Sequence, residues 1–127
     1  MERVILHCDA NSYYASVECL YTPSIRDKPM AVCGDPQARH GIVLAANTIA
    51  KKRFHVQTGD AIWQARLKCP NLICVPPDYE LYIRFSKKMR RIYEQYSDRV
   101  ESFGLDENWV DLSNPGFTIE DGAIIAN

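Results

Sequence analysis

A chain of 127 residues, 46% hydrophobic and 24% charged, can bury roughly two thirds of its unfolded surface, enough for one core or a core with a smaller lobe, and is too apolar for disorder. Its formal charge of −1 argues against a uniformly basic nucleic-acid binder. No apolar run approaches the roughly 18 residues of a membrane span, and Met1-Glu2-Arg3 enters a strand pattern without a signal-peptide core, so a soluble, cytoplasmic protein with no membrane contact is expected.

Along the chain, Arg3 to Cys8 reads as a buried strand, and Asn11 or Ser12 is placed to cap a helix running to about Leu20. Pro23, Asp27-Lys28-Pro29 and Gly34-Asp35-Pro36 break the next stretch around a strand from Met30 to Cys33, and Gly41 opens another from Ile42 to Ala45. Helices are expected from about Asn47 to Phe54 and from Ala61 to Lys68, the second ended by Pro70, which together read as a small inserted lobe. Leu72 to Val75 is a short strand, Pro76-Pro77 a stiff joint, and Asp78 or Tyr79 starts the longest helix, reaching about Tyr96. Tyr82, Phe85, Met89 and Ile92 recur at helical spacing, which leaves Lys87, Lys88, Arg90 and Arg91 mostly on a solvated face. Arg99 to Leu112 reads as extended, with Asp106-Glu107 in its middle, and Asn114-Pro115-Gly116 turns the chain. The tail from Ile119 starts as an amphipathic helix and stops after about two turns, so a piece of something longer is expected.

Two acidic signatures stand out about a hundred residues apart. Asp9 sits where the first strand gives way to a helix, and the doublet Asp106-Glu107 lies in another strand-like stretch. Three carboxylates raised from strand ends toward one point suit a two-magnesium phosphoryl-transfer site, because each ion needs oxygen ligands while it bridges the reacting phosphate. Singly, an Asp between strand and helix is often only a cap, and Asp-Glu doublets commonly face solvent. As a metal-free set, however, they would repel one another and raise each other's pKa. Cys8, Cys19, Cys33, Cys69 and Cys74 form no C-x-x-C pair and sit among apolar neighbours, so they read as structural thiols, and His7, His40 and His55 read as solvated or packed side chains. Asp111 reads as structural.

In order, Asp9-Ala10-Asn11-Ser12-Tyr13-Tyr14-Ala15-Ser16-Val17-Glu18 resembles the opening motif of the Y-family translesion DNA polymerases, and Gly104-Leu105-Asp106-Glu107 their second acidic motif. Arg26-Asp27-Lys28-Pro29-Met30-Ala31-Val32 and Gly41-Ile42-Val43-Leu44-Ala45 resemble the fingers segment, and Cys69-Pro70-Asn71-Leu72 with Pro76-Pro77 its exit. The resemblance covers nearly the whole chain, which makes it far more specific than any one motif. It implies an α+β fold: a truncated ferredoxin-like palm formed by residues 1–21 and 77–127, with a small α/β fingers subdomain, residues 22–76, inserted between.

The resemblance further implies that Asp9, Asp106 and Glu107 bind two Mg2+ ions, with Mn2+ able to substitute, and that the carbonyl of Ala10 completes one shell. The ions would activate a primer 3'-hydroxyl and neutralise the leaving pyrophosphate. Tyr14, preceded by Tyr13, falls where the family carries an aromatic steric gate that rejects the ribose 2'-hydroxyl by size. Lys51 falls at a basic position for the incoming triphosphate, with Arg53 or Lys52 as alternatives. Many relatives have Arg there, and a lysine offers a point charge without the bidentate fork. Asn11 stands where many relatives have a second Asp, Gly104 where they have Ser, and His55 replaces a customary Gly. Ala45, Asn47, Ala50 and Lys51 fit a pattern seen toward the polymerase V-like branch.

The implied partners are primer-template DNA and a deoxynucleoside triphosphate, with a sliding clamp engaged through a region beyond this chain. A truncated palm edge also offers a route to a homodimer. Because the family's thumb and little finger are missing, weak duplex binding and poor extension by the piece alone are expected. The rival readings are a palm-type nucleotidyl cyclase or two-metal nuclease using the same carboxylates, and a noncatalytic interaction module in a DNA repair complex.

Overall fold

A computed structural model describes residues 1–34 and 41–127. Of the turn expected at Gly34-Asp35-Pro36 only Gly34 is among them, and His40 lies outside them. In chain order the elements are β1 (Ile5–Asp9), α1 (Tyr13–Tyr21), β2 (Met30–Cys33), β3 (Val43–Ala46), α2 (Thr48–Phe54), α3 (Ile62–Lys68), β4 (Ile73–Val75), α4 (Tyr79–Glu94), β5 (Val100–Phe103), β6 (Glu107–Asp111) and α5 (Ile119–Ala126). By packing they divide into two compact units, Met1–Ala10 with Tyr82–Asn127, and Asn11–Leu81.

The first unit is built on an antiparallel sheet of order β1-β6-β5. Alternation along a strand sends Leu6, Cys8 and Val110 to one face, where Val4, Val110 and Leu112 form a small core with Tyr93, Val100 and Phe117. Helix α5 seats against β1 through Gly122, where an added Cβ would lie 2.5 Å from Val4 Cγ1, so only glycine permits the approach. The extended stretch expected from Arg99 to Leu112 is in fact a hairpin. Gly104 adopts φ 71 and the turn spans residues 104–106, so Asp106 ends a turn and Glu107 begins a strand. The inward stripe of α4 also differs from expectation: Ile92 is 53% exposed, and Tyr93 takes the core position in its place. A 3.6-residue repeat leaves such neighbours ambiguous at one end of a helix.

The second unit carries a sheet of order β3-β2-β4, with β2 antiparallel to β3 and parallel to β4. Every residue of β2 is buried, as expected for a strand covered on both faces. Its core gathers Ala31, Cys33, Val43, Ala50, Val56, Ile62, Ala65 and Leu72. Helix α1 packs here against β2 and β3. Asn47 caps α2 as a junction residue: its Oδ1 accepts from Ala50 N (3.0 Å) and Met30 N (3.2 Å), and its Nδ2 donates to Lys28 O (2.7 Å). The N-terminus of α1 is different. Ser12 stands at the cap in the left-handed region, φ 48, with no side-chain cap bond, and neither it nor Asn11 plays the capping role expected from sequence.

All five cysteines are free thiols. Cys19, Cys33 and Cys69 are buried, and burial with Cys74 alongside pushes the Cys33 thiol up to about 12, so it stays protonated and packs as a small apolar side chain.

Candidate metal centre

Strand register brings the early and late acids together. Asp9 lies directly opposite Glu107 in the β1-β6 ladder, and Asp106 precedes Glu107 in the hairpin turn. One oxygen from each of Asp9, Asp106 and Glu107 falls within 4.8 Å of the other two, and among the described residues they are the group of three so arranged. The turn is tied down from two sides: Ala10 N donates to Asp106 O (3.0 Å), and Ser86 Oγ on α4 donates to Leu105 O (2.6 Å).

The electrostatics of this arrangement are unfavourable without a cation. Like charges directly opposite on a sheet are destabilising. Burial, and then the Asp9 and Glu107 charges, push the Asp106 carboxyl above the ordinary aspartate value, against a backbone hydrogen bond that lowers it. Three hard oxygen donors converging in this way fit a divalent cation such as magnesium, calcium or manganese rather than a soft, thiolate-seeking metal.

The remaining predicted residues belong to the second unit. Tyr13 is buried at 6% exposure, whereas Tyr14 is half-buried and meets Tyr79 edge-on, with ring centroids 5.9 Å apart. Lys51 donates from Nζ to Asn11 Oδ1 (3.4 Å), while Lys52 and Arg53 are exposed on the last turn of α2. His55, where a glycine is customary, ends that helix at φ 59, a left-handed conformation glycine would adopt without strain. Asp111 has a structural setting: its Oδ1 accepts from Ser113 N (2.9 Å) and its Oδ2 lies 3.6 Å from Arg99 Nε.

Two features, one in each unit, went unread in the sequence. His7 Nε2 lies 3.3 Å from Glu107 Oε2, a contact that strand alternation foreshadows because residues 7 and 9 of one strand share a face. Ser12, three residues past Asp9, has a left-handed backbone and a buried Oγ without a hydrogen-bond partner among the described residues, and neither carries a compositional signal.

The impB/mucB/samB family model matches residues 8–125. DNA polymerase IV of Acetivibrio thermocellus is 59% identical over 127 residues, 100% of this chain and 32% of that protein, and DNA polymerase IV of Bacillus velezensis is 43% identical over 112 residues, 88% and 27%. Among solved structures, DinB from Sulfolobus solfataricus superposes with a TM-score of 0.88 at 28% identity, covering 98% of this chain and 36% of that one. An insertion ternary complex of Dbh DNA polymerase gives a TM-score of 0.88 at 28% identity, covering 98% and 37%. The chain therefore spans about a third of the length of the relatives it matches. With all but its first seven and last two residues matched and the mixed α and β architecture of Y-family polymerases reproduced, the chain belongs to the impB/mucB/samB family.

Proposed function

We propose that this chain provides the catalytic centre of a template-directed DNA polymerase of the translesion type, which adds deoxynucleotides to a primer 3'-hydroxyl during damage bypass and repair. The observation that carries this reading is the convergence of Asp9, Asp106 and Glu107 within 4.8 Å, in a family whose relatives include proteins named DNA polymerase IV. Residues 1–21 and 77–127 then serve as palm and residues 22–76 as fingers. The partners are primer-template DNA and a deoxynucleoside triphosphate, with a clamp engaged elsewhere in the full polymerase, and the place of action is the cytoplasm.

Asp9, the Ala10 carbonyl, Asp106 and Glu107 would hold two Mg2+ ions, with Mn2+ as a substitute. Bound there, such ions supply Lewis-acid polarisation of the phosphoryl oxygens and neutralise charge on the leaving pyrophosphate. The protein's own part is positioning and selection. Hydrogen bonds to Leu105 O and Asp106 O fix the turn that presents the Asp106 carboxylate. Tyr14, half-buried against Tyr79, presents a ring that excludes a 2'-hydroxyl by size, with buried Tyr13 as its support. Lys51 supplies a point charge for the triphosphate, held toward Asn11, and Arg53 is a further cation on the same helix.

The test is primer extension by a full-length polymerase carrying this sequence. Asp106→Ala should lower the magnesium-dependent rate about a thousandfold or more, roughly 4 kcal/mol of lost transition-state stabilisation. An unaltered rate would refute the catalytic assignment and favour a noncatalytic module. In the same assay Tyr14→Ala should admit ribonucleotides, and unchanged sugar selection would count against the polymerase reading, in which Tyr14 gates the sugar.

A further inference from the structure

The face of the β1-β6-β5 sheet that bears the carboxylates also carries a stacked pair. His7 and Trp109 are directly opposite in the β1-β6 ladder, with ring centroids 4.2 Å apart and planes 13° from parallel. One step along, Asp9 faces Glu107, so His7 is the diagonal neighbour of Glu107, at a separation long side chains can bridge. The bridge forms, with His7 Nε2 3.3 Å from Glu107 Oε2. With its proton on Nε2, the imidazole donates to the carboxylate.

Glu107 differs in this from its two companions. Asp106 is set by its turn, which is fastened through Ala10 N and Ser86 Oγ. Glu107 has a longer, more flexible side chain, is 31% exposed, and would sample several rotamers if nothing held its tip. His7, itself 41% exposed, would be equally mobile were its ring not laid flat on Trp109.

We infer that His7, braced by Trp109, is a positioning residue that holds Glu107 in the orientation in which it binds a divalent cation. This rests on the metal-centre reading of Asp9, Asp106 and Glu107 and adds to it the group that orients the third ligand. Hydrogen-bond partners of metal-binding carboxylates fix ligand direction, and losing one characteristically weakens metal affinity about 10- to 100-fold.

The experiment is a Mn2+ titration of a full-length polymerase carrying this sequence, followed by electron paramagnetic resonance of the free ion, with thermal unfolding measured in chelator. His7→Phe keeps a flat ring for Trp109 and removes the donor. His7→Gln keeps a donor and removes the ring. His7→Phe should weaken Mn2+ binding about tenfold or more, with the chelated melting temperature unmoved, and His7→Gln should restore affinity to within roughly threefold. Wild-type affinity in His7→Phe overturns the inference. So does equal weakening in both variants accompanied by a lowered chelated melting temperature, which would make His7 a packing residue for Trp109. Asp106→Asn is the separate control: if it binds Mn2+ as tightly as wild type, the metal centre itself is refuted, whatever His7 does.

Discussion

Each unit has a three-stranded sheet at its centre, yet the two use their sheets in opposite ways. In the Asn11–Leu81 unit the middle strand β2 is buried end to end, and at its start Asn47 Oδ1 accepts from the Met30 amide. In the other unit only one face of the sheet is packed. Its opposite face carries Ile5, His7, Asp9, Trp109 and Glu107, partly or fully open to solvent. A covered sheet gives a rigid holder, whereas a half-covered one keeps a surface on which charges can be gathered that no core would tolerate.

If closure is what holds the inserted unit, its costliest single loss should be Asn47→Ala. That change removes the α2 cap and leaves the buried Met30 amide without its side-chain acceptor. A destabilisation of about 2–4 kcal/mol is expected, read from the denaturant midpoint and from faster hydrogen exchange in residues 30–33. A loss below about 0.5 kcal/mol would mean that the unit does not depend on this junction.

In the half-covered unit the vulnerable point is the seat of α5. Gly122→Ala drives a methyl into Val4 and should cost about 1–3 kcal/mol, because Val4 is short and buried and cannot swing away. Combining it with Val4→Ala should give a double variant less damaged than the sum of the two single changes. Simple additivity would show that the helix and strand do not meet there.

The smallest effect is a surface one with a pH signature. The Lys68 ammonium, and then the Gln57 amide, hold the Asp60 carboxyl below the ordinary aspartate value. A lowered folded-state pKa adds stability above the unfolded value, and that contribution is lost as pH falls through the folded one. Asp60→Asn should therefore be slightly less stable than wild type at neutral pH, by under about 1 kcal/mol, with the gap closing in acid. A gap that widens on acidification would contradict the assignment.

Most of the architecture was legible in the chain because its signals are local. β2 is an uninterrupted apolar run between breakers whose bounds, Met30–Cys33, follow from the sequence, and the helix α4 follows from its periodicity. The acids were legible as a set through their motifs. What escaped reading depends on atoms far apart in sequence or on backbone twist. The hairpin at Gly104 looked like continuous extended chain, since a strand and its return share the same alternation. Ser12 and Asn11 have the composition of caps, yet the left-handed turn at Ser12 sends the Asn11 side chain to Lys51 instead. His7 looked like an ordinary exposed histidine until β1 was registered against β6.

The hydroxyl clasp from Ser86 to the Leu105 carbonyl reaches further than its single bond suggests. It makes the hairpin tip a lever anchored to α4, so the aim of the Asp106 carboxylate is inherited from how Tyr93 and its neighbours hold that helix against the sheet. Changes along the buried stripe of α4, remote from any acid, should thereby shift where the Asp106 carboxylate points.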